Sequence, residues 1–218
     1  MRNSTGFLLL ASIVLVLAGC SGSGRDALNL SDDSEGPALT PQSCDVDPRQ
    51  YADARKIADI DDGGSCRVRQ AWNVSAIGGV TLNNDAIMNC STTRTTSVWL
   101  DRIVQPAAAK AFGEKVAAID VAASYACRTR NNARGAKLSE HARGNAIDVA
   151  AFVLESGRRV TVEDGWNGKR DENAFLRRVR SDACGLFSTV LGPGSDRYHH
   201  NHLHLDLQQR RSGGSYCH

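Results

Sequence analysis

The chain has 218 residues, 41% hydrophobic and 23% charged, and its 26 basic residues against 24 acidic ones leave a formal net charge of +2. So even a balance makes no field that would gather a polyanion, and nucleic acid is not an expected partner. The sequence also contains no internal repeat, which sets repeat architectures aside.

Residues 1–19 carry Arg2 as their only charge, ahead of an apolar run from Phe7 to Ala18. That run is short for a bilayer span and has the form of an export signal. Its ending, Leu17-Ala18-Gly19-Cys20, resembles a bacterial lipobox. The resemblance implies cleavage before Cys20, lipidation of the Cys20 thiol and anchoring by lipid rather than by a helix, with a plain signal anchor as the alternative. It also implies sorting to the outer membrane, facing the periplasm, because Ser21 rather than Asp follows the cysteine. Residues 20–43 are rich in Ser, Gly, Asp and Pro without an apolar period, which predicts a lipidated, solvated tether. The folded domain is then expected over 44–218.

With Cys20 set aside, Cys44, Cys66, Cys90, Cys127, Cys184 and Cys217 form an even set. Three disulfides in an oxidising compartment follow. Six cysteines allow fifteen connectivities; the simplest expectation pairs neighbours, Cys44 with Cys66, Cys90 with Cys127 and Cys184 with Cys217. Cysteine ligation of zinc would need a close Cys-x-x-Cys pair, and none is present.

Apolar spacing at Trp99, Ile103 and Ala107 predicts a helix from Thr96 to about Phe112, kinked at Pro106. Val116, Ile119, Val121 and Ala123 suggest a strand that leads to Arg128. Residues 145–154 and 159–163, joined through Glu155-Ser156-Gly157, read as a hairpin. The basic residues between Arg158 and Arg180 are interleaved with Glu163, Asp164, Asp171 and Glu172, as on a solvated helix face. A helix is expected from Asp171 to Val190, burying Phe175, Leu176, Val179, Ala183 and Phe187, with Gly185 as a weak point. Trp166 either lines a cleft or packs beside it, and Glu140 is expected to face solvent.

The chemistry concentrates in two stretches. Of six histidines, one stands in Ser139-Glu140-His141-Ala142-Arg143-Gly144-Asn145-Ala146-Ile147-Asp148 and four in His199-His200-Asn201-His202-Leu203-His204. Strict alternation from His202 to Leu207 predicts a half-buried strand with His202, His204 and Asp206 on one face and Leu203, Leu205 and Leu207 in the core. Asp148 falls inside the preceding hairpin, with His141 on the turn before it. Two imidazoles and a carboxylate make the three-ligand set of a catalytic zinc site with an open position, so His141, Asp148 and His204 are the expected ligands of one zinc per chain. His202 is the candidate proton carrier, and Asp206 could orient a ligand histidine. A solvated, pH-sensitive histidine patch is the simpler alternative.

Ser139 to Asp148 resembles the S-x-H-x-x-G-x-A-x-D signature of zinc D-alanyl-D-alanine carboxypeptidases and dipeptidases, and His202-Leu203-His204 resembles their closing H-x-H element. From Cys44 to Cys217 the chain is similar to the bacterial extensin-like C-terminal domain family. Its resembling blocks are Ser124-Tyr125-Ala126-Cys127-Arg128, Leu138 to Asp148, Thr189-Val190-Leu191-Gly192-Pro193-Gly194 and His202 to Leu207. The resemblance implies His141, Asp148 and His204 as zinc ligands and Arg128 as the cation that holds a substrate carbonyl or carboxylate. Related carboxypeptidases place an acidic base where this chain has Asn201, so either His202 does the proton work, as in the H-x-H murein endopeptidases, or the protein is slow or inactive. The expected fold is α+β, an antiparallel sheet with packed helices, a metal cleft at one end and disulfide staples. The expected protein is an envelope lipoprotein, a zinc-dependent peptidase acting on peptidoglycan peptides. The rival expectation is a non-catalytic, zinc-containing envelope binding or structural lipoprotein.

Overall fold

The computed structural model describes residues 44–211 and 213–218, so the expected signal, Cys20 and the tether lie outside the described residues. The strands are β1 (Ala52–Lys56), β2 (Ile60–Asp61), β3 (Arg67–Val68), β4 (Ala71–Ile77), β5 (Val80–Asn89), β6 (Val116–Ala123), β7 (Ala146–Leu154), β8 (Arg159–Thr161), β9 (Thr189–Leu191), β10 (Leu203–Asp206) and β11 (Tyr216–Cys217). Nine form one sheet in the order β1-β4-β5-β6-β7-β10-β9-β11, with β8 also on β7; β2 and β3 form a separate ribbon. Pairing is antiparallel except at β5–β6 and β9–β11. The fold is therefore α+β and mostly antiparallel.

The β4–β5 hairpin has a signal of its own in the sequence. β4 and β5 are joined by Gly78-Gly79, both at positive φ (57° and 82°), the backbone that a two-residue hairpin turn requires. On β5 the apolar positions Val80, Leu82, Ala86 and Met88 are buried.

The expected helix begins earlier than Thr96. It runs as α1 (Cys90–Trp99), a π-helical segment (Leu100–Val104) and α2 (Gln105–Phe112). The Asn89 side chain caps it by accepting from the Thr92 N–H at 2.8 Å. Threonines hid this start, because β-branched residues are weak helix formers. Here the Thr93 and Thr96 hydroxyls donate to backbone carbonyls one turn back, at 3.0 and 2.8 Å. Where a kink at Pro106 is expected, the structure has the junction between the π segment and α2, with Pro106 in the first turn of α2. Proline has no N–H to donate, and just before it the Gln105 N–H reaches five residues back to the Leu100 carbonyl.

Two further boundaries are corrected. The hairpin strand stops at Thr161, whose hydroxyl accepts from the Asp164 N–H at 3.1 Å and caps α3 (Val162–Gly165). α4 (Arg170–Ser181) ends well before Val190: Gly185 adopts φ 90°, Ala183 and Phe187 reach the core from turns, and Thr189–Leu191 pairs with β10.

The helices cover one sheet face. Trp99 lies 6.0 Å from Phe152 and 6.4 Å from Phe187, Phe152 stands edge-on to Phe175 at 5.0 Å, and the Trp99 indole N–H donates to the Val179 carbonyl at 3.0 Å. Trp166 packs against α4 beneath Arg177 and Arg180, at 4.8 and 5.4 Å, away from the cleft. Three other arginines of that basic stretch have intrachain partners: Arg158 bonds Asp171 and Glu172 at 2.8 and 2.6 Å, Arg159 pairs with Asp120, and Arg178 bonds Asp182 at 2.5 Å.

Among the described residues three disulfides are present: Cys44–Cys90, Cys66–Cys127 and Cys184–Cys217. Neighbour pairing holds only for the last. The first two are interleaved because β1, β4 and β5 carry the chain back to the start of α1, so proximity in sequence is not proximity in space. Among the described residues no helix is long and apolar enough to cross a membrane.

Candidate metal centre

β7 and β10 run side by side with His204 opposite Asp148. Leu203, Leu205, Ile147 and Val149 are fully buried in the core, so the pleat turns His204 and Asp148 to the opposite face. His141 arrives on a 3-10 turn (Glu140–Arg143), capped by Ser139 and stopped by Gly144 at φ 59°. A Cβ at Gly144 would lie 2.7 Å from Val68 and 3.0 Å from the Asn89 nitrogen. Glycine is required there for both backbone and space.

The three side chains meet. His141 Nε2 lies 3.2 Å from His204 Nδ1 and 3.1 Å from Asp148 Oδ2, and His204 Nδ1 lies 2.8 Å from Asp148 Oδ1. Donors about 2.0–2.1 Å from a tetrahedral zinc stand roughly 3.3 Å apart. The separations here are close to that value, and the group is buried and could hold a metal ion. The remaining ring nitrogens are engaged behind it. His141 Nδ1–H donates to the Ser124 carbonyl at 2.5 Å, and His204 Nε2–H donates to Asp206 Oδ2 at 3.0 Å. Both rings thus present their other nitrogen to a common centre, as metal-ligating histidines do.

The electrostatics favour a cation at that centre. Burial raises the Asp148 carboxyl, but His204 and His141 outweigh it and hold the group well below the ordinary carboxylate range. Burial also disfavours a charged His204; Asp148 and Asp206 more than compensate and push its imidazolium up to about 10. With side chains alone, a proton on His204 Nδ1 supplies the positive charge that the two carboxylates demand.

The family model described as extensin-like protein C-terminus matches residues 42–218. The chain belongs to this family. No curated protein and no solved structure matches it.

In this extensin-like domain the centre opens into a cavity of about 490 Å³, which Arg128, His199 and His202 also line. Arg128 follows the bridged Cys127, and its Nη2 is 4.0 Å from Asp148 Oδ2. His202 stands just before β10, not within it, with Nε2 3.7 Å from Asp148 Oδ2 and Nδ1 2.9 Å from Asn201 Oδ1. Burial, together with the neighbouring histidines, lowers its pKa against the pull of Asp148, which favours the neutral ring. Glu140 does not face solvent as expected. It is buried, accepting from Asn145 Nδ2 at 2.8 Å and Arg143 Nη1 at 3.3 Å.

The residue that sequence reasoning missed is His199. Its Nδ1–H donates to Asp196 Oδ1 at 2.7 Å, and its ring is 5.2 Å from His202 and 5.6 Å from His204. An acidic residue three before a histidine was the available signal. His200, exposed and 3.9 Å from Glu163, stands outside the group.

Proposed function

We propose that this domain is a zinc-dependent peptidase of the cell envelope, related to the zinc D-alanyl-D-alanine carboxypeptidases and H-x-H endopeptidases and acting on peptidoglycan peptides. The mature protein would be lipid-anchored through Cys20 in the outer membrane, facing the periplasm. The observation that carries the reading is the convergence of His141 Nε2, His204 Nδ1 and the Asp148 carboxylate within 3.2 Å of one another, beside a solvent-open cavity.

Zinc, when bound, supplies Lewis-acid activation of a peptide carbonyl and of water. His141, Asp148 and His204 would hold it, with the Ser124 carbonyl and Asp206 fixing the two rings. His202 carries out the proton transfers. Asn201 Oδ1 accepts from its Nδ1–H, which leaves Nε2 free to take a proton. Asn201 itself cannot be the base, since an amide does not accept a proton near neutrality. Arg128 binds the substrate carboxylate or carbonyl, as a guanidinium fork does well.

The test is digestion of purified peptidoglycan peptides by the zinc-loaded protein, read by mass spectrometry. Cleavage is expected, with His202→Ala lowering turnover by about 10²–10⁴-fold while zinc content is unchanged. Zinc retained with no product from any peptide would instead support the non-catalytic binding module.

A further inference from the structure

Beside the metal centre, across the loop of residues 129–138, lies a second and larger cavity of about 1030 Å³. The loop is closed by a bridge between Thr129 and Leu138 and by the Arg130 N–H donating to the Lys137 carbonyl at 2.9 Å. Arg130, Glu140 and Gln208 line both cavities, so the two adjoin.

Five exposed cations surround the second compartment: Arg67, Arg69, Arg130, Lys137 and Arg143. In a chain whose formal charge is only +2 this is a local concentration. Three have an anion beside them: Asp61 is 3.2 Å from Arg67, Asp59 is 3.3 Å from Arg69, and Glu140 is 3.3 Å from Arg143. Among the described residues neither Arg130 nor Lys137 forms an ion pair, so the groove's excess charge rests on these two. The far wall is structurally fixed. The β2–β3 ribbon that carries Arg67 is tied down by Cys66–Cys127, and Val68 packs against Gly144.

The lining also indicates what kind of anion fits. Among the described residues no aromatic side chain lines the compartment, so nucleobases have nothing there to stack on. Beside the cations stand the amides of Gln208 and Gln209, which pair in both directions with peptide groups.

We propose that this groove binds the carboxylates of an acidic peptide segment that flanks the bond presented to the metal centre. The inference deepens the peptidase reading and rests on it for the direction of the chain, whereas binding as such requires no turnover.

The experiment uses the full-length, zinc-loaded protein and two peptides with a neutral fluorophore, (Ala-Glu)3 and (Ala-Gln)3, followed by anisotropy and by mass spectrometry. At low ionic strength the Glu peptide should bind at least about tenfold more tightly than the Gln peptide. Arg130→Ala with Lys137→Ala should erase roughly that factor for the Glu peptide and leave the Gln peptide, the melting temperature and the zinc content unchanged. Equal binding of the two peptides overturns the proposal, as does a Glu-peptide affinity that the double variant does not alter. A single-stranded oligonucleotide of equal charge binding more tightly than the Glu peptide also overturns it, in favour of a nucleic-acid site. Cleavage without discrimination between the peptides removes the groove and keeps the peptidase; discrimination in binding without cleavage does the reverse.

Discussion

His204 sits between two carboxylates, and that position sets the pH behaviour of the centre. Burial opposes its charge, Asp148 and Asp206 favour it more strongly, and the imidazolium is pushed up to about 10. In the metal-free protein its stabilising contribution is therefore complete below the unfolded histidine value of about 6.5 and is lost as pH rises through about 10. A cation bound at His204 Nδ1 must displace that proton. Zinc affinity is then expected to rise about tenfold per pH unit between roughly pH 6 and 8, with about one proton released per ion. Calorimetric titration in buffers of different ionisation enthalpy measures both quantities. A pH-independent affinity without proton release would place the metal elsewhere.

Among the elements, the turn that delivers His141 depends most on a single residue. Gly144→Ala would put a Cβ 2.7 Å from Val68 in a left-handed backbone, and a cost above about 1 kcal/mol is expected, visible as a lowered urea midpoint. An unchanged midpoint would mean that the ribbon and β5 give way easily. The Cys66–Cys127 bridge makes a different prediction, because it holds Arg128 and the β2–β3 ribbon but none of the three metal-binding side chains. Cys66→Ser with Cys127→Ser should cost about 2–4 kcal/mol and weaken substrate binding while zinc content stays the same. Loss of zinc in that variant would show that the bridge shapes the centre itself.

Taken as a whole, the molecule was legible in sequence where structure is local. Alternation from His202 to Leu207 describes β10, and the run from Val116 to Ala123 is β6. His141, Asp148 and His204 stood out because their spacing and strand phase agree, and the structure brings them together. What could not be read depends on long-range pairing. The interleaving of Cys44–Cys90 with Cys66–Cys127 follows from how β1, β4 and β5 return to α1. Glu140 is the exception, buried although the side chains that bond it, Asn145 and Arg143, are close to it in sequence. α4 ends where the sheet recruits Thr189–Leu191, a competition that helical spacing cannot register. The β4–β5 hairpin does carry a local signal, the Gly78-Gly79 turn at positive φ.

The most direct test is the metal itself. Chelator-stripped protein is dialysed against zinc and its content determined by plasma mass spectrometry, alongside His141→Ala, Asp148→Ala and His204→Ala. The account predicts about one zinc per chain in the parent protein and less than about a tenth of that in each variant. A parent protein without zinc, or variants that keep it, would contradict it.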